Sequence, residues 1–290
     1  MHFIYWELRV PRLIIAWLAG AGLAVCGMCF QAFFRNPLTT PFTLGIASGA
    51  SLGASLYIVT GLSLSFFGIS GISIAAFGGA CLTSLLVYSF TLIMPGRHTN
   101  TLLLAGVAIN FFFSSLIICV QYCSGFVDSF KILHWMMGGI SVVGMNAVYD
   151  LAPFALCGIV VIYLHSNELN LMTTGEEFAV SRGVNVNRAK SILFFASSLT
   201  VGGVVAVCGP IGFVGLMAPH TARIIFGPDH KLLSVTSALI GASFLCLSDT
   251  VARTILAEGA ELPVGLITAL VGGPYFLFIL IYKMKGIKST

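Results

Sequence analysis

The stretch SNELNLMTTGEEFAVSRGVNVNRAK, residues 166–190, is the long polar interruption in an otherwise apolar chain. Inside it, Thr174 followed three residues later by Glu177 is a capping-box pattern. Gly183 is placed to end a helix in a left-handed turn. Acidic residues in the first turn and Arg182 in the last turn suit the helix dipole. The pattern predicts one short, solvent-exposed helix from Thr174 to Gly183 that another protein could bind.

On either side of this stretch the composition is that of a membrane protein. Hydrophobic residues make up 58% of the 290 residues and charged residues 8%, against about 25% charged residues in a soluble domain. The sequence has no Pro/Ser-rich linker and no low-complexity run, so we expect one all-α integral membrane domain over 1–290. The net charge of +4 is spread over short loops, which argues against nucleic-acid binding.

The apolar runs are long enough to predict a polytopic helical bundle. A bilayer core of about 30 Å needs roughly 20 apolar residues per helix, and on that measure we predict about nine transmembrane helices. A shorter segment, 129–140, is predicted to be re-entrant or to lie at the membrane surface. The predicted spans are 10–34, 42–61, 69–94, 101–122, 147–165, 189–209, 211–226, 232–254 and 264–282.

Small residues in these spans indicate close helix packing. Gly45, Gly49 and Gly53 lie on one helix face, and such rows let helix backbones approach closely. We interpret the row as packing within one subunit, with a dimer seam as the alternative. Pro210 and Pro274, each beside glycines, are predicted to interrupt or kink helices at membrane depth, where freed backbone groups must be buried in protein or line a wet cavity. This favours a transport pathway over a purely structural bundle.

The distribution of Lys and Arg predicts the orientation. Nine spans put the termini on opposite sides, and positively charged loops stay in the cytoplasm. A cytoplasmic C-terminus puts ten basic residues inside and four outside, so the 166–190 loop is expected to face the cytoplasm. The inside set is Arg35, Arg97, Arg182, Arg188, Lys190, Arg223, Lys231, Lys283, Lys285 and Lys288, and the outside set is Arg9, Arg12, Lys131 and Arg253.

The sequence is that of a membrane translocation subunit without a recognisable energy-coupling motif of its own. It has no Gly-x-x-x-x-Gly-Lys-Ser/Thr loop for phosphates, and no span carries a chain of Asp, Glu or His that could relay protons. We therefore expect no catalytic site, no cofactor and no metal. Cys26 and Cys29 make one sulfur-rich helical turn that could attract a soft metal. Without a third ligand in register, they are expected to pack as small apolar residues.

Several stretches follow one known pattern in order along nearly the whole chain. They are LRVPR (8–12), QAFFRNPL (31–38), LGIASGA (44–50), LLLAGVA (102–108), WMMGG (135–139), GPIGFVGLMAPHTAR (209–223), GPDHK (227–231) and ELPVGLITA (261–269). Together they resemble the FecCD/cobalamin-type (type II) permease subunit of ABC importers. That family carries iron–siderophore complexes, haem, cobalamin and related metal chelates.

The resemblance implies a role for the polar stretch. The helix from Gly175 to Gly183 resembles the coupling helix that docks in a cleft of a separate cytoplasmic ATPase. In that role Phe178 would be its apolar anchor, and its polar contacts would be Glu176, Glu177 and Arg182. The alternative is an ordinary solvated loop helix.

The resemblance also implies a docking site on the outer face. Arg9, Arg12 and Arg253 match outward-facing arginines that pair with acidic residues of the substrate-binding protein. A guanidinium suits this task because it offers a planar fork to carboxylates. For Arg253 an alternative is an ion pair with Asp249, which lies one helical turn back.

Finally, the resemblance implies a gate. Asn36, Pro37 and Leu38 match the turn that narrows the cytoplasmic mouth of the pathway. The alternative is a plain turn, because Asn-Pro is a common turn dipeptide.

The implied assembly is an importer in the bacterial inner membrane. Its parts would be two permease subunits (identical or paralogous), two ABC ATPases and a periplasmic or lipid-anchored binding protein. A ferric chelate or haem is the first expected substrate and cobalamin the second. The alternatives are a stand-alone secondary transporter or channel, and a structural membrane protein.

The family usually has ten spans, with a helix before the stretch that matches 8–12. Here seven residues precede that stretch. Either the start codon is assigned too late, or the chain is a natural variant with its N-terminus outside.

Overall fold

The computed structural model describes residues 3–62, 64–66, 69–93, 99–256 and 261–287. A π-helical turn, Ile4–Arg9, leads into the first α-helix, and a 3-10 turn, Pro41–Leu44, precedes the second. Ser65–Phe66 and Ile69–Ser70 form a small antiparallel pair. The α-helices are α1 (Val10–Phe34), α2 (Ile46–Thr60), α3 (Gly71–Ile93), α4 (Thr99–Cys123), α5 (Phe126–Met136), α6 (Asn146–Leu164), α7 (Ser166–Thr174), α8 (Glu176–Ser181), α9 (Val186–Cys208), α10 (Val214–Phe226), α11 (His230–Thr254) and α12 (Val264–Ile287).

Six helical segments in the described part are long and apolar enough to cross a membrane, so the all-α, multi-pass prediction is confirmed at that level. Two more apolar segments, Ile46–Thr60 and Val264–Ile279, are shorter. The six are Ile4–Phe34, Gly71–Phe90, Leu102–Cys123, Asn146–Leu164, Val186–Cys208 and His230–Thr254.

The count of nine is not confirmed, because two predicted spans, 42–61 and 211–226, correspond to the short helices α2 and α10. The predicted span 211–226 contains α10, whose 13 residues rise only about 20 Å at 1.5 Å per residue. The predicted span 42–61 is divided at Gly45, which has a φ of 78°. Arg97 and Lys288, two residues of the predicted inside set, lie outside the described residues.

Of the two places where the sequence predicts an interrupted or kinked helix, Pro210 lies between α9 and α10, whereas Pro274 lies inside α12, which continues through it. Gly209 and Phe213 both have positive φ, of 67° and 66°, and the residues between them separate α9 from α10. The predicted surface or re-entrant segment, 129–140, overlaps most of α5 (Phe126–Met136), an 11-residue helix. Gly138, with a φ of 68°, follows it.

The core is built around α1, which packs against α6, α9, α10 and α11. Gly27 of α1 lies so close to Gly215 of α10 that a Cβ would collide with the backbone. Two glycines of the predicted row lie on α2 and pack within the chain: Gly49 faces Gly79 and Thr83 of α3, and Gly53 faces Ala75 of α3. The third, Gly45, precedes α2. Small residues thus let the helices approach closely.

The two ends of α1 define two surfaces of the molecule. With 25 residues, α1 is about 37 Å long, enough to cross a bilayer core. Near its start, Arg12 contacts α11 and the loop before α12. Just after its end, Arg35 contacts the last turn of α7. These surfaces are called the Arg12 end and the Arg35 end below.

Candidate functional site

The polar stretch folds at the Arg35 end as two short helices, α7 and α8, joined at Gly175. The predicted capping box is wrong. Thr174 is the last residue of α7, and its hydroxyl donates to the carbonyl oxygen of Asn170 at 3.3 Å. The residue that caps α8 is Gly175, which has no side chain to cap with. Thr174 prefers its own helix because a hydroxyl can bond to the carbonyl four residues back.

The predicted end of α8 is confirmed. Gly183 is left-handed, with a φ of 85°. Its amide donates to the carbonyl of Val180 at 2.9 Å, and the Val184 amide donates to the carbonyl of Ala179 at 3.0 Å. This pair of bonds is a Schellman motif, which satisfies the last carbonyls of a helix. The helix therefore has a fixed length.

A small core holds α8 against the rest of the protein. Met172, Ala179, Val186 and Ala189 are buried together, so α7, α8 and α9 share one apolar contact. On the outer side of α8, Phe178 is 41% exposed. An exposed aromatic side chain on a helix whose opposite side is packed against the protein is available to a partner protein.

The predicted polar contacts divide into inward and outward groups. Glu176 makes an ion pair of 2.7 Å with Lys190 of α9, which binds the start of α8 to the bundle. Glu177 is exposed and forms no ion pair in the part of the chain that the structure describes. The Arg182 guanidinium lies 5.3 Å from the centroid of the Phe178 ring, within range of a cation–π contact.

The helix pair is also tied to α1. Arg35 donates from Nε and Nη2 to the carbonyl oxygen of Met172, at 3.1 and 2.8 Å. Because Met172 lies in the last turn of α7, the cation also suits the negative end of that helix dipole. A displacement of α7 and α8 therefore reaches α1 directly.

A second link runs from α7 to the start of α11 through Asn170. Its Nδ2 donates to Oδ1 of Asp229 at 2.7 Å, and its Oδ1 accepts from the amide of His230 at 2.9 Å. The hydrogen bond from Asn170, together with that from the Lys231 amide, lowers the pKa of the Asp229 carboxyl. Sequence reasoning missed Asn170. The sequence signal that could have indicated this link was the position of Asp229, which directly precedes a helix as a capping residue does.

At the Arg12 end, the structure places the predicted docking arginines in different settings. Arg12 donates to both carboxylate oxygens of Asp249 at 2.8 to 3.1 Å, and to Glu261 at 2.7 Å. Arg253 pairs with Asp249 at 3.3 Å, as the alternative predicted. Arg9 is exposed. Of the three predicted residues, two belong to an internal ion-pair network.

The predicted gate residues form a turn after α1. Arg35 is left-handed, with a φ of 48°, and the Leu38 amide donates to Oδ1 of Asn36 at 3.0 Å. The turn borders a cavity shared with Leu216 of α10 and Tyr275 of α12. Asn36, Pro37 and Leu38 therefore lie where α1, α10 and α12 meet.

The sulfur-rich turn of α1 is buried. Cys26 and Cys29 are free thiols, and Sγ of Cys26 lies 3.7 Å from the carbonyl oxygen of Ser197. Over the described ranges, no three His, Cys, Asp or Glu side chains come together as metal ligands would.

Comparisons with known proteins agree on one family. The family model described as the FecCD transport family matches residues 1–282. The hemin transport permease HmuU of Yersinia pestis is 39% identical over 98% of this chain and 85% of its own length. The cobalamin import permease BtuC of Halobacterium salinarum is 38% identical over 94% of this chain and 72% of its own length.

A solved structure is similar over almost the whole chain. It is an inward-facing conformation of an ABC transporter assigned to the metal-chelate type. The match has a TM-score of 0.89 and 32% identity, and covers 97% of this chain and 88% of the other.

Proposed function

Because the chain belongs to the FecCD transport family and is the permease subunit of an ABC importer, we propose that the outer face of α8 couples it to a separate ATPase. The observation that carries this proposal is the exposure of Glu177 and Phe178 on a helix whose other side is buried. Such a surface suits docking, because a few exposed anchors supply most of the energy of an interface.

The links below α8 suit the transmission of force. Arg35 joins α7 to α1, and Asn170 joins α7 to α11. When the ATPases bind and hydrolyse ATP, the motion of α7 and α8 would tilt these long helices and open the pathway alternately to the two sides. The Asn36-Pro37-Leu38 turn would act as the gate at the inner mouth. The permease itself performs no bond chemistry in this mechanism.

The proposed assembly contains two permease subunits, two ATPases and one binding protein. The nine-span count, the single domain over 1–290 and the cytoplasmic C-terminus belong to the same proposal. In that count the short helix α10 crosses together with residues 211–213, and the charge bias of the loops supports the orientation. Arg9 is the exposed candidate for contact with the binding protein. Arg12 and Arg253 could contribute only by exchanging their intrachain partners.

The proposed substrate is a metal complex: a ferric chelate or haem first, and cobalamin second. The support is that HmuU is named for hemin and BtuC for cobalamin, and that the similar structure is of the metal-chelate type.

The test is co-purification from a host that expresses the whole importer, with a tag on the permease. We expect Glu177→Lys combined with Phe178→Ala to reduce ATPase recovery by roughly thirtyfold, the effect of losing about 2 kcal/mol at an interface. Leu232→Ala removes an exposed aliphatic side chain of α11 and serves as the control. The visible spectrum of the preparation would identify bound haem, corrin or ferric chelate.

Retention of a cytoplasmic ATPase through α8 would also fix the side of the membrane on which the Arg35 end lies. If the double variant recovers as much ATPase as Leu232→Ala does, α8 is not the coupling surface. If the unaltered chain recovers no ATPase and transports alone, the stand-alone transporter replaces the proposal.

A further inference from the structure

A basic pocket lies at the Arg35 end, between α1, α7, α10 and α11. Arg35, Arg223 and His230 line it together with Gln31 and His220. No Asp or Glu occurs among the described residues that form its wall. The pocket therefore concentrates positive charge beside the coupling link of Arg35 and the gate residue Pro37, which also lines it.

The guanidinium of Arg223 has unused donors. Arg223 is partly buried, yet across the described ranges it forms neither a hydrogen bond nor an ion pair. Arg35 uses Nε and Nη2 on the Met172 carbonyl and keeps Nη1 for another acceptor. A charge drawn partly out of water without a counter-ion is costly, so an anion in this pocket would be stabilised.

Two residues that line the pocket, Gln31 and His230, each carry a buried acceptor. Nδ2 of Asn170 must face the Asp229 carboxylate, so Oδ1 of Asn170 faces His230 and accepts from Nδ1 at 2.6 Å. The ring proton of a neutral His230 therefore sits on Nδ1, and Nε2 is a bare acceptor. Nε2 of His230 and Oε1 of Gln31 are both buried and lack a partner among the described residues.

A complementary ligand therefore carries an anion for the arginines and hydrogen-bond donors for the two acceptors. A carboxylate from a partner protein would satisfy only the arginines. A phosphodiester with hydroxyl groups meets both needs. Ile224, which also lines the pocket, is 67% exposed and offers an apolar surface beside the charges.

We propose that this pocket binds the headgroup of an anionic, hydroxyl-bearing glycerophospholipid of the phosphatidylglycerol type. The phosphodiester contacts Arg223 and Arg35, the headgroup hydroxyls donate to Gln31 and His230, and an acyl chain runs along Ile224. Basic pockets between membrane helices are known to hold such headgroups. The binding itself does not rest on the proposed coupling to an ATPase, and only its assignment to the cytoplasmic leaflet rests on the proposed orientation.

The test is native mass spectrometry of the full chain purified in detergent and titrated with lipid. Phosphatidylglycerol is compared with phosphatidylcholine of the same acyl chains, and a second arm uses soluble glycerol phosphate. We expect selective retention of phosphatidylglycerol. Arg223→Met should weaken it about tenfold or more, the effect of one lost charge-assisted hydrogen bond. The control, Arg188→Met, removes an exposed arginine of α9 outside the pocket and should change retention less than twofold.

Gln31→Met, which keeps the side-chain length but removes the acceptor, provides a second variant if Arg223→Met does not fold. It should reduce the preference for phosphatidylglycerol severalfold. Equal retention of both lipids, or equal effects of Arg223→Met and Arg188→Met, would overturn the proposal. Binding of glycerol phosphate without selectivity between the lipids would assign the pocket to a soluble phosphate ester and overturn the lipid assignment.

Discussion

At the Arg12 end of α1 the least exposed charged side chains, those of Arg12 and Asp249, are paired within the chain, whereas at the Arg35 end the partly buried Arg223 has no ion pair over the described ranges. Arg12, Asp249 and Glu261 satisfy each other within the chain. Glu177 and Arg223, in contrast, have no ion pair over the described ranges. Paired charges hold helices in place, whereas unpaired charges can bind another molecule. The difference predicts that substitutions at the first end reduce stability, and that those at the second reduce binding.

The largest expected effect is that of Arg12→Met at the paired end. The Asp249 side chain is 4% exposed, and removing its partner leaves a buried carboxylate with only Arg253 nearby. Breaking a buried pair costs roughly 3–5 kcal/mol, so we expect a loss of about 3 kcal/mol because Arg253 compensates in part. Denaturant unfolding of the detergent-purified protein measures this loss.

Lys131→Met is the control for that experiment, because Lys131 pairs with Asp128 on the surface, where its side chain is 59% exposed. It should cost less than about 1 kcal/mol. Adding Asp249→Leu to Arg12→Met should restore much of the lost stability, since the buried charge is then gone. Equal stability of Arg12→Met and Lys131→Met would mean that Arg12 does not stabilise the fold. It would favour the predicted role of Arg12 in docking the substrate-binding protein.

These two ends also differ in how much of them could be predicted from the sequence. Gly183 was predictable because a helix end is a local pattern of a few residues. The partners of Arg12 were not, since Asp249 is 237 positions away, and the resemblance to the family suggested a partner protein instead. The capping box at Thr174 was predicted wrongly, because a hydroxyl can either cap the helix that follows or bond to a carbonyl of the helix that contains it. Only the three-dimensional structure decides between these.

The fold was predictable as a class and less so as a count of spans. Apolar runs identify membrane helices, but α10 is too short to span by itself, and a run of apolar residues does not show where the backbone turns. Gly209 and Pro210 predicted the turn between α9 and α10, but the positive φ of 66° at Phe213, a bulky residue, has no sequence signal. The Asn170 link joins residues 59 positions apart, so it too required the structure.

A smaller effect is expected from Gly183→Ala at the unpaired end. A Cβ on Gly183 would meet no atom within 4 Å, but its φ of 85° disfavours any side chain, at a cost of about 1 kcal/mol. Amide exchange in α8 should therefore become about fivefold faster, with global stability unchanged. Hydrogen exchange measured peptide by peptide tests this.

Gly212→Ala is the matched control for Gly183→Ala, because Gly212 is equally open but has no positive φ. It should leave exchange in α8 as it is. If Gly183→Ala lowers global stability as Arg12→Met does, then α8 belongs to the main cooperative unit, and the contrast between the two ends is lost.

The smallest effect is expected from Glu176→Gln, which removes the ion pair with Lys190. Glu176 is 47% exposed and Lys190 only 14%, so the pair is intermediate between a surface and a buried bridge. We expect a loss of about 0.5 kcal/mol in the local stability of α8, measured by hydrogen exchange at low salt. Glu177→Gln, at the exposed neighbouring residue, should leave the local stability of α8 unchanged. High salt should abolish the difference between the two variants, since exposed charges are screened within about 3 Å at 1 M. A loss of local stability as large as that of Arg12→Met, and persistent in high salt, would contradict this expectation. It would show that a buried charge pair fixes the start of α8, as at the Arg12 end, so that α8 could not respond to a partner.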